Sequence, residues 1–92
     1  MSEESSLIYN KALDILSRRE HSAKELIFKL EKKFDSTEEI FLTVSKLKKN
    51  NLLNDFRYAE AYVVARKRKG FGPKKIKFEL ISKGIDESDI HR

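Results

Sequence analysis

Two stretches decide how this chain is read: Arg19–Ile40, REHSAKELIFKLEKKFDSTEEI, and Lys69–Ile90, KGFGPKKIKFELISKGIDESDI. Set one above the other, they align without a gap at a fixed offset of 50. Lys24 meets Lys74, Phe28 meets Phe78, Leu30 meets Leu80, Lys33 meets Lys83 and Ile40 meets Ile90. Ser36 and Asp86, both residue types that cap helix N-termini, also coincide. Identities that agree in helical phase and in capping position mark an internal repeat, here a unit of about fifty residues.

Working outward, the apolar spacing is helical almost throughout, with no strand alternation. The first helix is expected over Ser6–Arg18, with Ile8, Ala12, Ile15 and Leu16 on one stripe. Ser22-Ala23-Lys24-Glu25 is a capping box that opens a helix burying Leu26, Ile27, Leu30 and Phe34. Ser36-Thr37-Glu38-Glu39 reads as a second capping box, opening a helix that buries Ile40, Phe41, Val44 and Leu47. Asn50-Asn51 closes it, because Asn tolerates the left-handed backbone of a C-terminal cap. Asn54-Asp55 starts a fourth helix reaching Lys69, which Gly70 stops. Gly72-Pro73 restarts the chain as a fifth, with Ile76, Leu80 and Ile81 as its stripe and Gly84 as its end. Asp86 is placed to cap a short sixth. The expectation is an all-α chain of tandem three-helix units resembling helix-turn-helix modules. Residues 1–53 form the first unit and residues 54–92 the second, incomplete at its third helix.

The composition suits that reading: 39% hydrophobic, 38% charged, three Gly and one Pro among 92 residues. There is no Cys, so disulfides, thiol nucleophiles and thiolate metal sites are out. The apolar runs are too short to span a membrane, and the MSEESS start is acidic where a secretory signal would be basic. A cytoplasmic protein with no membrane association is expected. The net charge of +5 is unevenly placed. Residues 1–46 hold eight Lys/Arg and nine Asp/Glu, whereas residues 47–92 hold twelve and six. A half with that excess of cations suits a polyanion or an acidic partner.

No constellation for catalysis is present. His21, expected as a solvated turn residue, and His91, near the C-terminal end, lack the spacing that puts two metal ligands on one helix face. Glu38-Glu39 fits a first helical turn, where carboxylates complement the dipole. Gly70-Phe71-Gly72 lacks the strand and lysine of a phosphate-binding loop. No catalytic residue, metal, cofactor or small-molecule substrate is expected.

The informative segment is Arg66-Lys67-Arg68-Lys69-Gly70-Phe71-Gly72-Pro73-Lys74-Lys75-Ile76-Lys77, with seven cations and no anion. The cations at the end of the fourth helix suit its dipole; Lys74, Lys75 and Lys77 at the start of the next do not. That local cost, with no evident acidic partner, points to an external anion. Base reading favours Arg, Asn and Gln, and Pro73–Lys83 contains none of them. The corner therefore suits phosphate, bound without regard to sequence, or an acidic protein surface. Phe28 and Phe78 lie off their helices' apolar stripes. Phe28 is expected to fill the joint between the repeats; Phe78 is open to a partner, and Phe71 joins them as a third candidate interaction aromatic. Two readings stand on these residues alone: a sequence-independent nucleic-acid-binding module, and a dimerisation module working through these aromatics.

The residues also resemble a known family. Ala12-Leu13-Asp14-Ile15-Leu16-Ser17-Arg18-Arg19-Glu20-His21-Ser22, with Glu25-Leu26 and Lys29-Leu30, looks like the opening of RecX proteins. Asn54-Asp55-Phe56-Arg57-Tyr58-Ala59 resembles that family's mid-chain acidic turn. Lys69-Gly70-Phe71-Gly72-Pro73, Ile76, Glu79-Leu80 and Lys83-Gly84-Ile85 resemble its most recognisable stretch. The likeness implies a cytoplasmic regulator of the RecA recombinase, built of three-helix repeats. Such a protein binds in the groove of the RecA–DNA filament and usually inhibits strand exchange and ATP hydrolysis. The family normally has three repeats, of which this chain matches the first two. Asn51 stands where the family often has Gly, and Phe28 and Phe78 where polar residues are commoner.

Overall fold

The computed structural model describes residues 3–90, and every regular element in that span is helical. The elements are α1 (Glu3–Leu16), α2 (Ala23–Glu31), α3 (Thr37–Lys49), α4 (Asp55–Arg68) and α5 (Pro73–Ser82). A 3-10 turn, Glu87–Asp89, takes the place of the short sixth helix, with the Asp86 side chain accepting from the Ser88 amide. The expected all-α tandem architecture is what forms, in a body 45 × 23 × 20 Å. His91 lies outside the described residues.

The caps work largely as the sequence dictates. Ser22 accepts from the Glu25 amide while the Glu25 carboxylate accepts from the Ser22 amide, completing the capping box. The second box forms only by half: Ser36 accepts from the Glu39 amide, but the Glu39 carboxylate takes the Ser5 hydroxyl of α1 instead. Asn54 caps α4 by accepting from the Arg57 amide. Three helices end in left-handed residues, Asn51 (φ 61), Gly70 (φ 90) and Gly84 (φ 85). At each, two amides past the helix bond back to its last carbonyls; after α5, Gly84 N donates to Ile81 O and Ile85 N to Leu80 O. That pairing satisfies carbonyls a helix end otherwise leaves open.

Each repeat buries its own core. The first comprises Ile8, Ala12, Ile15, Ala23, Leu26, Leu30, Ile40, Val44, Leu47 and Leu53, with Leu16, Ile27 and Phe34 packed around them. The second is smaller: Tyr58, Ala59, Ile76, Leu80 and Ile85, flanked by Tyr62, Val63, Phe71 and Ile90. Leu30 and Leu80, aligned at offset 50, are both fully buried. Two expected core residues are not in it. Phe41 is 50% exposed and Ile81 46% exposed. Each lies at the edge of its helix's stripe, roughly 100° and 140° from Ile40 and Ile76 respectively at 100° per residue, and on α3 the polar Thr43 is buried instead.

The two units meet end to side. Ser22, besides capping α2, donates its hydroxyl to the Lys83 carbonyl (3.0 Å), and Lys24 Nζ donates to the Ser82 carbonyl (3.2 Å). The N-terminus of α2 thus caps the C-terminus of α5. Nearby, the Ala23 amide donates to Asp55 (2.8 Å) and Arg57 Nε to Glu20 (2.5 Å). Gly84 is required here twice over: its φ is left-handed, and a Cβ would sit 2.8 Å from Lys24 Cβ.

A basic corner on the second repeat

α4 carries Arg66, Lys67 and Arg68 in its last turn, Lys69 caps it, and four residues later α5 begins with Pro73, Lys74, Lys75 and, one turn on, Lys77. The turn does bring both groups to one corner, yet the seven cations are not equivalent.

Arg66 is committed inward. Its Nε and Nη2 donate to the two oxygens of Glu79 at 3.0 and 2.9 Å, and its guanidinium lies over the Phe71 ring, 3.7 Å from the centroid. Tyr62 also donates its hydroxyl to Glu79 (2.7 Å). The Tyr62 hydrogen bond, outweighing partial desolvation and joined by Arg66, holds the Glu79 carboxyl below its ordinary pKa. Lys75 reaches the same carboxylate at 3.9 Å and lies 5.7 Å from the Phe71 centroid. Lys77 pairs with Glu87 at 2.8 Å. The expectation that Lys74, Lys75 and Lys77 lack acidic partners is therefore corrected for two of the three. Glu79 stands one turn along α5 from Lys75, and the 3-10 turn returns Glu87 to Lys77. Lys67, Arg68, Lys69 and Lys74 are exposed, and among the described residues no carboxylate lies within ion-pair distance of them.

The aromatics separate as well. Phe71 is half-buried between Arg66 and Lys75 and shapes the corner. Phe78 is 74% exposed. Phe28 is 60% exposed and does not fill the joint; its ring carries the Lys32 ammonium at 4.6 Å, at the edge of a shallow groove shared with Lys24 and Lys83. At the joint itself the contacts are hydrogen bonds to backbone, from Ser22 and Lys24 to the Lys83 and Ser82 carbonyls.

His21 is also not what its turn position implies. It is 1% exposed, its Nδ1 donates to the Arg19 carbonyl (3.0 Å), and its Nε2 accepts from Lys29 (2.8 Å). Burial, aided by the Arg19 and Lys29 charges, depresses its pKa. It is a neutral structural residue that ties the α1–α2 turn to α2.

Sequence reading missed a groove on α4 between the repeats, about 350 Å³, floored by Tyr58, Ala61, Tyr62 and Ala65 and edged by Arg19 and Lys83. The i, i+3, i+4, i+7 spacing of its floor was the available signal. Burial, with the Glu25 charge, pushes the Tyr58 hydroxyl up to about 12, so it stays protonated. Burial alone would raise the Glu25 carboxyl, but bonds from Arg19 and the Ser22 amide hold it below its ordinary value. Among the described residues there is no metal-binding cluster, and no helix is long and apolar enough to cross a membrane.

Comparison with known proteins agrees with this geometry. Residues 9–47 match the first three-helix domain of RecX, and residues 54–92 match its second. The chain belongs to the RecX family. It is 38% identical over 85 residues to the regulatory protein RecX of Pseudomonas syringae pv. tomato, covering 92% of this chain and 55% of that one. It is 40% identical over 79 residues to the RecX of Ectopseudomonas mendocina, covering 86% and 53%. A crystal structure of regulatory protein RecX superposes with a TM-score of 0.88 at 30% identity, covering 95% of this chain and 43% of that one. RecX from Lactobacillus salivarius superposes at 0.82 and 36% identity, covering 97% and 58%. The chain spans about half the length of the curated RecX relatives it matches.

Proposed function

We propose that this chain is a non-enzymatic, cytoplasmic regulator that binds the RecA–DNA filament and lowers recombinase activity. Its two repeats are read as residues 1–53 and 54–92. The observation that carries the reading is the corner itself: four cations without carboxylate partners, held in place by the Arg66–Glu79–Tyr62 lock, on a fold of the RecX family. Lys67, Arg68, Lys69 and Lys74 are the contact residues, facing acidic recombinase surface, DNA phosphate, or both; Lys75 and Lys77 contribute with their own pairs part-exposed. No metal, cofactor, small-molecule substrate or membrane enters the reading.

Reversing Lys67, Arg68, Lys69 and Lys74 to Glu together is expected to weaken binding to preformed filaments more than tenfold and to relieve inhibition of the recombinase ATPase. The affinity should also fall steeply with salt, with the slope reduced in the variant, as counterion release requires. Unchanged filament affinity would sink the assignment.

The lysine-based, Arg-, Asn- and Gln-free face of α5 favours one second reading, a sequence-independent binder of nucleic acid alone. Gel shifts with bare DNA and with preformed filaments separate them. Equal affinity for both supports the second reading.

A further inference from the structure

The α4 groove and the free cations are one surface. At 100° per residue, Tyr58, Ala61, Tyr62, Ala65, Arg68 and Lys69 fall within an arc of about 120° on α4. The floor of the groove thus runs without interruption into two of the unpaired cations. Ala61 and Ala65 are exposed, and Val64 beside them is an exposed apolar lip.

The charges along this track are graded. At the Tyr58 end, Glu25 and Glu20 are bound to Arg19 and Arg57. Lys83 stands at the groove edge, its ammonium 5.6 Å from the Tyr62 ring, with no carboxylate partner among the described residues. Arg68 and Lys69 follow at the open end. A partner that fits must bring apolar bulk for the alanine floor and negative charge for one end.

We infer that the groove along α4 docks an acidic peptide segment of a protein partner, one large apolar side chain seated over Ala61 and Ala65 and its carboxylates at Lys83, Arg68 and Lys69. Nucleic acid fits the track less well. Arg66 and Lys83 already lie 5.9 and 5.6 Å from the Tyr62 centroid and compete with a base for that ring, and alanines offer a base nothing to bond. A peptide side chain needs only the removal of apolar surface from water. The inference rests on reading the chain as a protein-binding regulator, and it goes further by naming the groove and the occupant's chemistry.

The test uses the chain and three fluorescein-labelled probes: a short Glu/Asp peptide with one central Phe, the same peptide with that Phe replaced by Ala, and an oligo(dT). The Phe peptide is expected to bind about tenfold or more tighter than its Ala twin, from burial of one aromatic side chain. Ala65→Trp should remove that advantage, leave the Ala peptide and oligo(dT) unchanged, and retain wild-type helicity; Ala61→Gln should act in the same direction. On titration of the Phe peptide, amide resonances should shift at Ala61, Ala65 and Lys69. Equal binding of the two peptides overturns the proposal, as does indifference of the Phe peptide to both alanine variants. A loss of oligo(dT) affinity on Ala65→Trp equal to the peptide's would make the groove a nucleic-acid track instead. Retained filament binding by Ala65→Trp leaves the corner's role intact, so the two readings fail separately.

Discussion

The His21 imidazole gives its Nδ1 proton to the Arg19 carbonyl and receives one from Lys29 at Nε2, with almost no contact with water. A second ring proton would abolish the Lys29 bond and set two cations side by side. The unfolded chain accepts that proton near the ordinary value of 6.5, the folded chain only lower. As pH falls below about 6.5 the unfolded state therefore binds more protons, and stability falls until the depressed folded value is passed. In a His91→Ala background, the unfolding midpoint should drop between about pH 7.5 and pH 5.5, and His21→Gln should flatten that slope. Gly84 offers a second residue-scale measurement. Gly70→Ala meets open space and suffers only the left-handed backbone, roughly 1–2 kcal/mol. Gly84→Ala suffers the same and also collides with Lys24, so urea unfolding should show the larger loss there. Sequence alone showed both glycines ending helices but gave no sign of Lys24 overhead. Nor did it mark His21 as buried, because its partner Lys29 lies eight residues on, in α2.

Among the elements, pairing of α4 with α5 depends on a carboxylate in a segment noted for its cations. Glu79 collects Arg66, Lys75 and Tyr62, so one residue on α5 fixes the direction of α4's last turn. Glu79→Ala should lower the unfolding midpoint, keep the helical circular dichroism at low temperature, and weaken filament binding although no contact cation is removed. Full retention of affinity would show that the corner needs charge but no fixed geometry. The starts of α2, α4 and α5 and the ends of α3, α4 and α5 were legible because Ser22, Asn54, Pro73 and the three left-handed residues act on backbone within a few positions of themselves. By contrast, α1 runs Glu3–Leu16 where the apolar spacing predicts Ser6–Arg18. Phe41 and Ile81 are apolar but out of phase with the buried stripes of α3 and α5, while the polar Thr43 is buried on α3. Glu79 sits one turn from Lys75, so its role was half visible; the share of Arg66 and Tyr62 in it required the crossing of two helices.

Across the whole molecule, the repeat places equivalent leucines in unequal surroundings. Leu30 and Leu80 are both fully buried, and replacing either with Ala should cost about 2–5 kcal/mol locally. The larger first core should survive loss of Leu80, whereas loss of Leu30 removes the support on which α5 ends. Native-state hydrogen exchange is expected to show α4 and α5 opening alone in Leu80→Ala, and all five helices opening together in Leu30→Ala. The architecture itself was legible from one offset in sequence. The joint was not, since it is made of Ser22 and Lys24 bonding to carbonyls 61 and 58 residues away respectively.

That clasp has a direction in time. A ribosome delivers Ser22 and Lys24 well before Ser82 and Lys83, so the receiving end of the joint, with its capping box already closed, can wait in finished form. In the second repeat, Gly72 and Pro73 stand at the positions of Ser22 and Ala23, with neither a hydroxyl nor, at Pro73, an amide proton to offer. The hydroxyl half of the clasp is therefore single-use: the first unit acts as a template on which the second is completed, and of the two clasp donors the second repeat keeps only the lysine, Lys74 at the position of Lys24.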